Sequence, residues 1–341
     1  MIARALEKLA DKISLNQAEM SQVMDQVMSG EANHVQIAAL LTALRIKGET
    51  IDEITGGVQV LREFASGVKV DGPNLVDIVG TGGDGANLFN VSTAACFVVA
   101  AAGGRVAKHG NRSVSSSSGS ADVLEAAGVR LDITPDQVAQ CVNELGIGFM
   151  FALMHHSAMR HVSLARKELG LRTLFNVLGP MANPAGLKRQ LIGVYDRALC
   201  RPVAEVLQRL GSEHVLVVHS EDGLDEISLA ADTHVAELKN DVLSEYTLQP
   251  GQLGFNRESM EDLVVDDVAS SLRLINSALA GEKDPRSQRA AHMISLNAGA
   301  ALYVAGVAQS ISDGVKLADD VLSSGAGLKK VQQLAEMTQG F

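Results

Sequence analysis

Tryptophan is absent from this sequence, and aromatic residues make up only 3% of its 341 residues. So few aromatic rings argue against a surface on which nucleic-acid bases or sugar rings stack. Cysteine is also scarce, since Cys96, Cys141 and Cys200 stand apart, with no CxxC motif and no histidine at metal-ligand spacing. We therefore expect buried free thiols in a reducing compartment rather than a zinc site or a disulfide framework.

The sequence also lacks a basic surplus and a long apolar run. Lysine and arginine number 29 against 40 aspartates and glutamates, a net charge of −11. Binding to nucleic-acid phosphates needs the opposite balance, so we expect no nucleic-acid partner, which still leaves room for a local basic pocket. Residues 96–104 are too short to span a bilayer, and residues 1–12 lack the apolar core of a signal peptide. We expect a cytoplasmic protein with no membrane partner.

What the sequence does contain is a large apolar fraction, 46%, arranged in two different periods. The first 70 residues predict helices from apolar residues at i, i+3 and i+4, with capping boxes at Asn16–Glu19 and Thr50–Glu53. From about residue 74, short apolar runs alternate with helical stretches, which predicts an α/β fold with a mainly parallel sheet. A helical insert interrupts this alternation at about 157–185, and the chain ends in three helical patterns.

The stretch GTGGDGANLFNVST, residues 80–93, lies between a predicted strand and a predicted helix. Exposed N–H groups in such a glycine-rich turn, at the start of a helix, form a cradle for an anion. The turn is not a Walker A motif, because no lysine follows, and its glycine spacing does not fit GxGxxG. Asn90, Ser92 and Thr93 add more polar side chains than one helix cap requires.

A second polar turn, KHGNRSVSSSSGSAD, covers residues 108–122. It places Lys108, His109 and Arg112 beside a serine- and glycine-rich helix start. Cationic side chains at such a position are suited to hold phosphate, which we favour over a solvated serine linker. In parallel sheets, ligands lie at the carboxyl ends of the strands, where both turns are expected.

Two further segments complete the candidate site. Asp225 and Glu226 are adjacent in a loop after the predicted strand HVLVVH, and a carboxylate pair suits Mg²⁺ together with phosphate oxygens. Taken alone, this pair is better interpreted as a solvated acidic turn. The two phosphate-binding turns expected at the same sheet edge favour the interpretation as a metal site. The insert is rich in histidine and arginine; the histidines lack zinc spacing, and one inward arginine could pair with a substrate carboxylate.

Four motifs, DIVGTGGDG…FNVSTA, KHGNRSVSS…SGSADVLE, R…RTLFNVLGPMANPA and HSEDGLDEIS, resemble the anthranilate phosphoribosyltransferase family. The resemblance runs in order from near residue 2 to past 330. It implies transfer of a phosphoribosyl group from phosphoribosyl pyrophosphate (PRPP) to the amine of anthranilate, in tryptophan biosynthesis. It also implies a small helical domain, residues 1–72 with the insert 157–185, a large α/β domain, residues 73–156 and 186–341, and a homodimer formed through the helical domain.

The resemblance implies a role for individual residues. The PRPP site would comprise Gly80, Gly83, Asp84, Leu88, Asn90, Val91, Ser92, Thr93, Lys108, His109, Gly110, Asn111, Arg112, Ser113, Val114, Ser115, Ser116 and Ser120. Mg²⁺ would be held by Ser92, Asp225 and Glu226. Anthranilate would contact Gly80, Asn111, Arg166 and His156, with Arg166 as the partner of its carboxylate. No general base is assigned, and His109 is the only candidate.

Two positions depart from the family pattern. Position 88 is often Thr, Ser or Asn, but here it is Leu88, which can contribute only its backbone. Position 117 is often Lys or Arg, but here it is Ser117, which predicts a weaker hold on a phosphate or a more mobile loop. Asp84 is compatible with a pyrophosphate that arrives with Mg²⁺ and a ribose, and either a metal-bound water or a sugar hydroxyl would face it.

Two other functions fit the same fold. A pyrimidine nucleoside phosphorylase would bind inorganic phosphate and a nucleoside, and would not need the adjacent acidic pair. A non-enzymatic relative that binds nucleic acid would need a basic face, which the net charge of −11 opposes.

Overall fold

The computed structural model describes residues 1–113 and 117–341. The chain begins with four helices: α1 (Ile2–Ala10), α2 (Gln17–Met28), α3 (His34–Lys47) and α4 (Ile51–Glu63). Both predicted capping boxes are confirmed, with Asn16 and Thr50 each exchanging hydrogen bonds with a glutamate three residues later. The apolar face of α2 is buried, as its periodicity predicts.

A seven-stranded sheet follows, in the order β3-β2-β1-β4-β5-β6-β7. Its strands are β1 (Leu75–Gly80), β2 (Arg105–Gly110), β3 (Ile147–Phe151), β4 (Arg189–Gly193), β5 (His214–Ser220), β6 (Thr233–Lys239) and β7 (Val242–Leu248). The first five are parallel, whereas β6 and β7 add an antiparallel edge. The mainly parallel sheet is therefore confirmed, and the antiparallel edge is a feature that the sequence patterns did not reveal.

Helices cover both faces of this sheet. The crossovers contain α5 (Val91–Ala101), α6 (Ser120–Ala126), α7 (Pro135–Leu145) and α11 (Cys200–Arg209), and the chain ends with α12 (Val268–Leu279), α13 (Pro285–Ala305), α14 (Ile311–Ser324) and α15 (Ala326–Gln339). One hydrophobic core joins the sheet to α5 and the C-terminal helices. A second core joins the other face and α11 to the N-terminal helices. The three cysteines are free and buried.

The helical insert, expected at about 157–185, contains α9 (Arg160–Leu169) and α10 (Leu174–Met181), and the short helix α8 (Ala152–His155) precedes it. Val162 and Leu178 of this insert share the second core with Met24 and Leu41 of the N-terminal helices. Gly30 approaches the His161 ring so closely that a Cβ atom there would overlap it. The insert therefore packs on α1–α4, although the exact division into domains stays a prediction. No helix in the described parts of the chain is long and apolar enough to cross a membrane.

Candidate active site at the carboxyl edge of the sheet

The parallel strands β1, β2, β4 and β5 end at one edge of the sheet, and the candidate residues follow them. Gly80 ends β1, Gly110 ends β2, and the loop after β5 carries Asp225 and Glu226. The parallel register pairs Gly80 with Gly193 at the end of β4. The topology thus brings together turns that are far apart in sequence, as expected for a ligand site in a parallel sheet.

The acidic pair contacts the glycine-rich turn directly. The Gly82 N–H donates to Asp225 Oδ2 at 2.7 Å, and the Ser92 N–H donates to Glu226 Oε1 at 3.2 Å. A Cβ atom on Gly80 would overlap the Asp225 carboxylate, and one on Gly193 would overlap its backbone carbonyl. Glycine is therefore required at both strand ends for this close approach.

Burial dominates the electrostatics of these acids. It raises the pKa of Asp225 to about 6, with a further contribution from Asp84, and it raises the pKa of Glu226 to about 8, with a further contribution from Asp225. Lys108 opposes the shift at Glu226; its Nζ donates to Ile78 O and lies 3.4 Å from Ser92 Oγ. A cation placed here would stabilise the ionised carboxylates.

These residues fit a magnesium ion that shares its coordination with a ligand. Within the described ranges, no group of three or more His, Cys, Asp and Glu side chains is arranged to hold an ion by itself. Mg²⁺ in substrate sites is commonly held by one or two carboxylates together with substrate phosphates and water. The half-buried Asp225–Glu226 pair supplies the carboxylates, and the Ser92 hydroxyl lies 3.4 Å from Lys108 Nζ.

The remainder of the first turn is fixed by distant segments. Asn90 Oδ1 accepts hydrogen bonds from Ser271 Oγ of α12 at 2.8 Å and from Ser118 Oγ at 2.7 Å. Leu88 forms an isolated antiparallel bridge with Val264, and its flanking residues make the hydrogen bonds of that bridge. The side chains of Val91 and Thr93 are buried, so Val91 can serve a ligand only through its backbone.

The second turn was expected to offer its arginine to a phosphate, but in the structure that side chain is already paired with carboxylates. The Arg112 guanidinium donates to Glu125 through both Nη atoms, at 2.8 and 3.0 Å, and to Asp122 at 2.9 Å. These contacts hold the guanidinium on α6, so Arg112 must leave them in order to reach a phosphate. Asp122 also accepts from the Ser113 and Gly119 N–H groups, each at 3.0 Å.

Asn111 and Ser120 are joined in the same turn, since Ser120 Oγ donates to the Asn111 carbonyl at 3.4 Å. Asn111 is exposed, and its side-chain oxygen accepts from the Arg112 N–H at 2.8 Å. Ser117, the residue that departs from the family pattern, donates its N–H to Asn87 Oδ1 of the first turn at 3.1 Å. Val114, Ser115 and Ser116 lie outside the described residues.

His109 lies at the end of β2, but both of its ring nitrogens are engaged inside the protein. Nδ1 is 2.7 Å from Asp77 Oδ2, and Nε2 is 2.9 Å from the Gly179 carbonyl of α10. Asn183 and Gln190 extend this buried network to the neighbouring chain segments. In this arrangement neither nitrogen is available to accept a proton from a substrate.

Arg166 and His156 lie in and next to the insert. Arg166 is half-buried on α9, with its guanidinium 5.5 Å from the Phe175 ring centroid, and burial lowers its pKa. Within residues 1–113 and 117–341, this guanidinium has no hydrogen bond or ion pair. His156 is buried and donates from Nε2 to the Ala182 carbonyl at 3.0 Å; burial lowers its pKa to about 4, so the ring is neutral at pH 7.

Arg172 is a site residue to which sequence reasoning gave no role. It follows α9, and its Nη2 donates to the Gly83 carbonyl in the first turn. Its Cζ lies 4.3 Å from the centroid of the Tyr195 ring, and Arg45 of α3 donates to its backbone carbonyl. Sequence reasoning also missed Ser271. Its contact with Asn90 joins positions 181 residues apart, which no local sequence pattern connects.

Two family models match this chain. Residues 3–65 match the helical bundle domain of a glycosyl transferase family, and residues 72–328 match the α/β domain of the same family. The order of the two matches agrees with the helical and α/β parts described above. The fold and the site at the sheet edge therefore define a glycosyl transferase.

Comparison with individual proteins narrows this class. The chain is 60% identical to an anthranilate phosphoribosyltransferase of Saccharophagus degradans and 59% identical to one of Cellvibrio japonicus, over 99% of its own length and 98% or more of theirs. It is also similar to the crystal structure of the Thermus thermophilus enzyme, with 41% identity, a TM-score of 0.92 and 98% of this chain covered. A Saccharomyces cerevisiae structure in complex with PRPP and Mg matches with 25% identity, a TM-score of 0.91 and full coverage of this chain. The chain belongs to the anthranilate phosphoribosyltransferase family.

Proposed function

We propose that this protein transfers the phosphoribosyl group of PRPP to the amine of anthranilate and releases pyrophosphate. Family membership over the full chain supports this reaction. The structural observation that carries the proposal is the contact of the Asp225–Glu226 pair with the Gly80–Thr93 turn, beside Lys108. This contact unites an anion cradle with carboxylates suited to a divalent cation, which is the chemistry that a Mg²⁺-bound pyrophosphate needs.

We assign the donor site to both polar turns and the metal site to Ser92, Asp225 and Glu226. When bound, Mg²⁺ would neutralise charge on the leaving pyrophosphate. Lys108 supplies a positive charge next to Ser92. Arg112 can add its charge after it releases Asp122 and Glu125. Arg112 is thus the part of the charge compensation that has to move when the donor binds.

We assign the acceptor site to the region of Arg166. A half-buried guanidinium without an ionic partner among the described residues is suited to hold a carboxylate in two parallel hydrogen bonds. Anthranilate carries such a carboxylate beside its amine. Pairing with Arg166 would therefore orient the amine, and Gly80, Asn111 and His156 are proposed to line the remainder of this site.

Positioning is the main task of the protein in this reaction. Loss of pyrophosphate leaves positive charge at the anomeric carbon, and the aromatic amine is already neutral at pH 7. Once the C–N bond has formed, the positively charged nitrogen is acidic enough to release its proton to water, so no strong base is required. Holding the amine against that carbon converts a bimolecular reaction into a reaction within one complex, in which the reacting atoms are already oriented. The engagement of both His109 nitrogens agrees with a mechanism that needs no base there.

The decisive experiment measures anthranilate fluorescence with purified protein. The signal should fall only when PRPP and Mg²⁺ are both present, and omission of either should abolish the change. A nucleoside phosphorylase would instead cleave a pyrimidine nucleoside with inorganic phosphate and leave anthranilate untouched. Persistent fluorescence in the complete mixture would reject the proposal.

We also propose a cytoplasmic homodimer formed through the N-terminal helices. Val35 and Ile46 of α3 are 78% and 73% exposed and, at about three helical turns apart, lie on one face of the helix, which supports a contact surface there. Sedimentation equilibrium should give twice the mass of 35.9 kDa. A monomeric mass at micromolar concentration would reject the dimer.

A further inference from the structure

Arg172 lies where three separate parts of the chain meet the glycine-rich turn. Its side chain reaches Gly83, its guanidinium stacks on Tyr195, and its backbone carbonyl accepts from Arg45 at the end of α3. Arg172 therefore joins the helical part of the molecule to the Gly80–Thr93 turn. Neither the family resemblance nor the assignments above give it a function.

The backbone of Tyr195, whose ring lies beneath the Arg172 guanidinium, is fixed at the sheet edge. The Tyr195 N–H donates to Thr81 Oγ1 at 3.0 Å, and the Thr81 N–H donates to the Gly193 carbonyl at 2.9 Å. A guanidinium stacked on an aromatic ring keeps its plane, and hence the direction of its N–H groups. Arg172 consequently presents a well-directed donor to the Gly83 carbonyl.

Gly83 is a position where such direction matters. Its φ is +77°, in the left-handed region that glycine adopts without a steric penalty, so the chain itself restricts the turn weakly. In a planar trans peptide group, the carbonyl of one residue and the N–H of the next point in opposite directions. Fixing the Gly83 carbonyl on Arg172 therefore turns the Asp84 N–H away from Arg172.

We propose that Arg172, supported by Tyr195, is a positioning residue that orients the Gly83–Asp84 peptide group and so offers the Asp84 N–H to the pyrophosphate of the donor. This rests on the proposed function, because the ligand of the turn is taken to be Mg²⁺-bound PRPP. A carbonyl turned into the cradle would repel the anion, whereas an N–H there binds it. Arg172 thus acts on donor binding through the backbone of the turn.

The test compares three substitutions of the same side chain. Arg172→Met removes both charge and donors, Arg172→Gln keeps a neutral donor on a side chain two bonds shorter, and Arg172→Lys keeps the charge and a donor without the planar fork. Lys167→Met, at an exposed position of α9, is the matched control for loss of a positive charge. The measurements are both KM values, kcat, the Kd of PRPP with Mg²⁺ by calorimetry, and the melting temperature.

Positioning through a hydrogen bond predicts an ordered series. Arg172→Met should raise the KM and Kd for PRPP about tenfold, the size expected for one lost charge-assisted hydrogen bond, with less than about a twofold change in the KM for anthranilate. Arg172→Lys should recover part of the loss, because its ammonium can donate to the Gly83 carbonyl, Arg172→Gln should recover little, and Lys167→Met should match the wild type. The melting temperature should not move, because Arg172 is exposed.

Three results would overturn the inference. Wild-type binding by Arg172→Lys, together with a loss in Arg172→Met that disappears at high ionic strength, would mean that the charge itself attracts PRPP. Equal rises in both KM values, or a lower melting temperature, would indicate a general structural role, and no change in any variant would indicate no role. If the wild type binds PRPP but does not consume anthranilate, the proposed reaction fails, whereas calorimetry still decides the role of Arg172.

Discussion

Asp77 and His109 form a buried pair beneath the carboxyl edge of the sheet, with Asp77 Oδ2 2.7 Å from His109 Nδ1. The opposite ring nitrogen of His109 faces the Gly179 carbonyl of α10 at 2.9 Å. The ring thus lies between a carboxylate and a carbonyl oxygen, one at each nitrogen. The pair therefore joins β1 and β2 of the sheet to the helical insert.

Replacing Asp77 should destabilise the fold. Burial raises the pKa of Asp77, but the interactions with His109 and Lys108 lower it by a larger amount. Its pKa in the folded protein is therefore below the ordinary value. Asp77→Asn leaves the buried ring without its charged partner and should cost about 3 kcal/mol of unfolding free energy. Urea unfolding at pH 7 measures this loss, with Asp71→Asn, an exposed carboxylate near β1, as the control.

The same pair makes stability depend on pH in a defined direction. A carboxyl whose pKa is lower when folded than its unfolded value of about 3.9 contributes stability above that pH. The contribution is lost as pH falls through the folded pKa. Stability of the wild type should thus fall more steeply than that of Asp77→Asn as pH drops from 5 to 3. Parallel curves would contradict a stabilising ionised Asp77.

Arg166→Ala should raise the KM for anthranilate much more than the KM for PRPP. Removing a charged hydrogen-bonding partner of the anthranilate carboxylate should cost about 1.5–3 kcal/mol, which corresponds to about a 10- to 100-fold rise in the KM for anthranilate. The KM for PRPP should change much less, in contrast to the pattern predicted for Arg172. Steady-state fluorescence kinetics measures both values, and Lys167→Met serves as the control on the same helix. Equal effects on both substrates would remove Arg166 from the carboxylate site.

The sequence predicted β1 and β2 and the glycine-rich turn after β1, because these features depend on local periodicity and on glycine. It did not predict the partners of that turn. Arg172 and Gly83 are 89 residues apart, and Asn90 and Ser271 are 181 apart, so no local pattern connects them. Arg112 has the composition of a phosphate ligand, but its ion pairs with Asp122 and Glu125 depend on the geometry of α6.

Glu226 should destabilise the metal-free protein at alkaline pH. Burial and Asp225 raise its pKa to about 8, above the unfolded value of about 4.3. A carboxyl with a raised pKa favours the folded state at low pH, and this contribution is lost as pH rises towards the folded pKa. Glu226→Gln should therefore exceed the wild type in melting temperature by a few degrees at pH 8.5, on the order of 2 kcal/mol, and should match it at pH 5.

The control for Glu226 is Glu221→Gln, an exposed residue of the same loop, which should leave the melting temperature unchanged at both pH values. Mg²⁺ should raise the melting temperature of the wild type at pH 8.5 more than that of Glu226→Gln, because only the wild type carries the second carboxylate. Differential scanning fluorimetry provides both comparisons. An equal difference between wild type and variant at pH 5 and pH 8.5 would show that the effect does not arise from ionisation of Glu226.

Ser271→Ala should weaken donor binding from outside the site. The buried Ser271 hydroxyl donates to Asn90 Oδ1 at 2.8 Å and accepts from the Asn90 N–H at 3.1 Å, so it fixes the residue before α5. Its loss should cost about 1 kcal/mol of stability and raise the Kd for PRPP about fivefold, while kcat at saturating substrate stays near that of the wild type. Ser270→Ala, on the same helix with its hydroxyl bonded to exposed Arg273, should leave the Kd unchanged. A drop in stability with no change in Kd would mean that Ser271 supports the fold but does not position Asn90 for the donor.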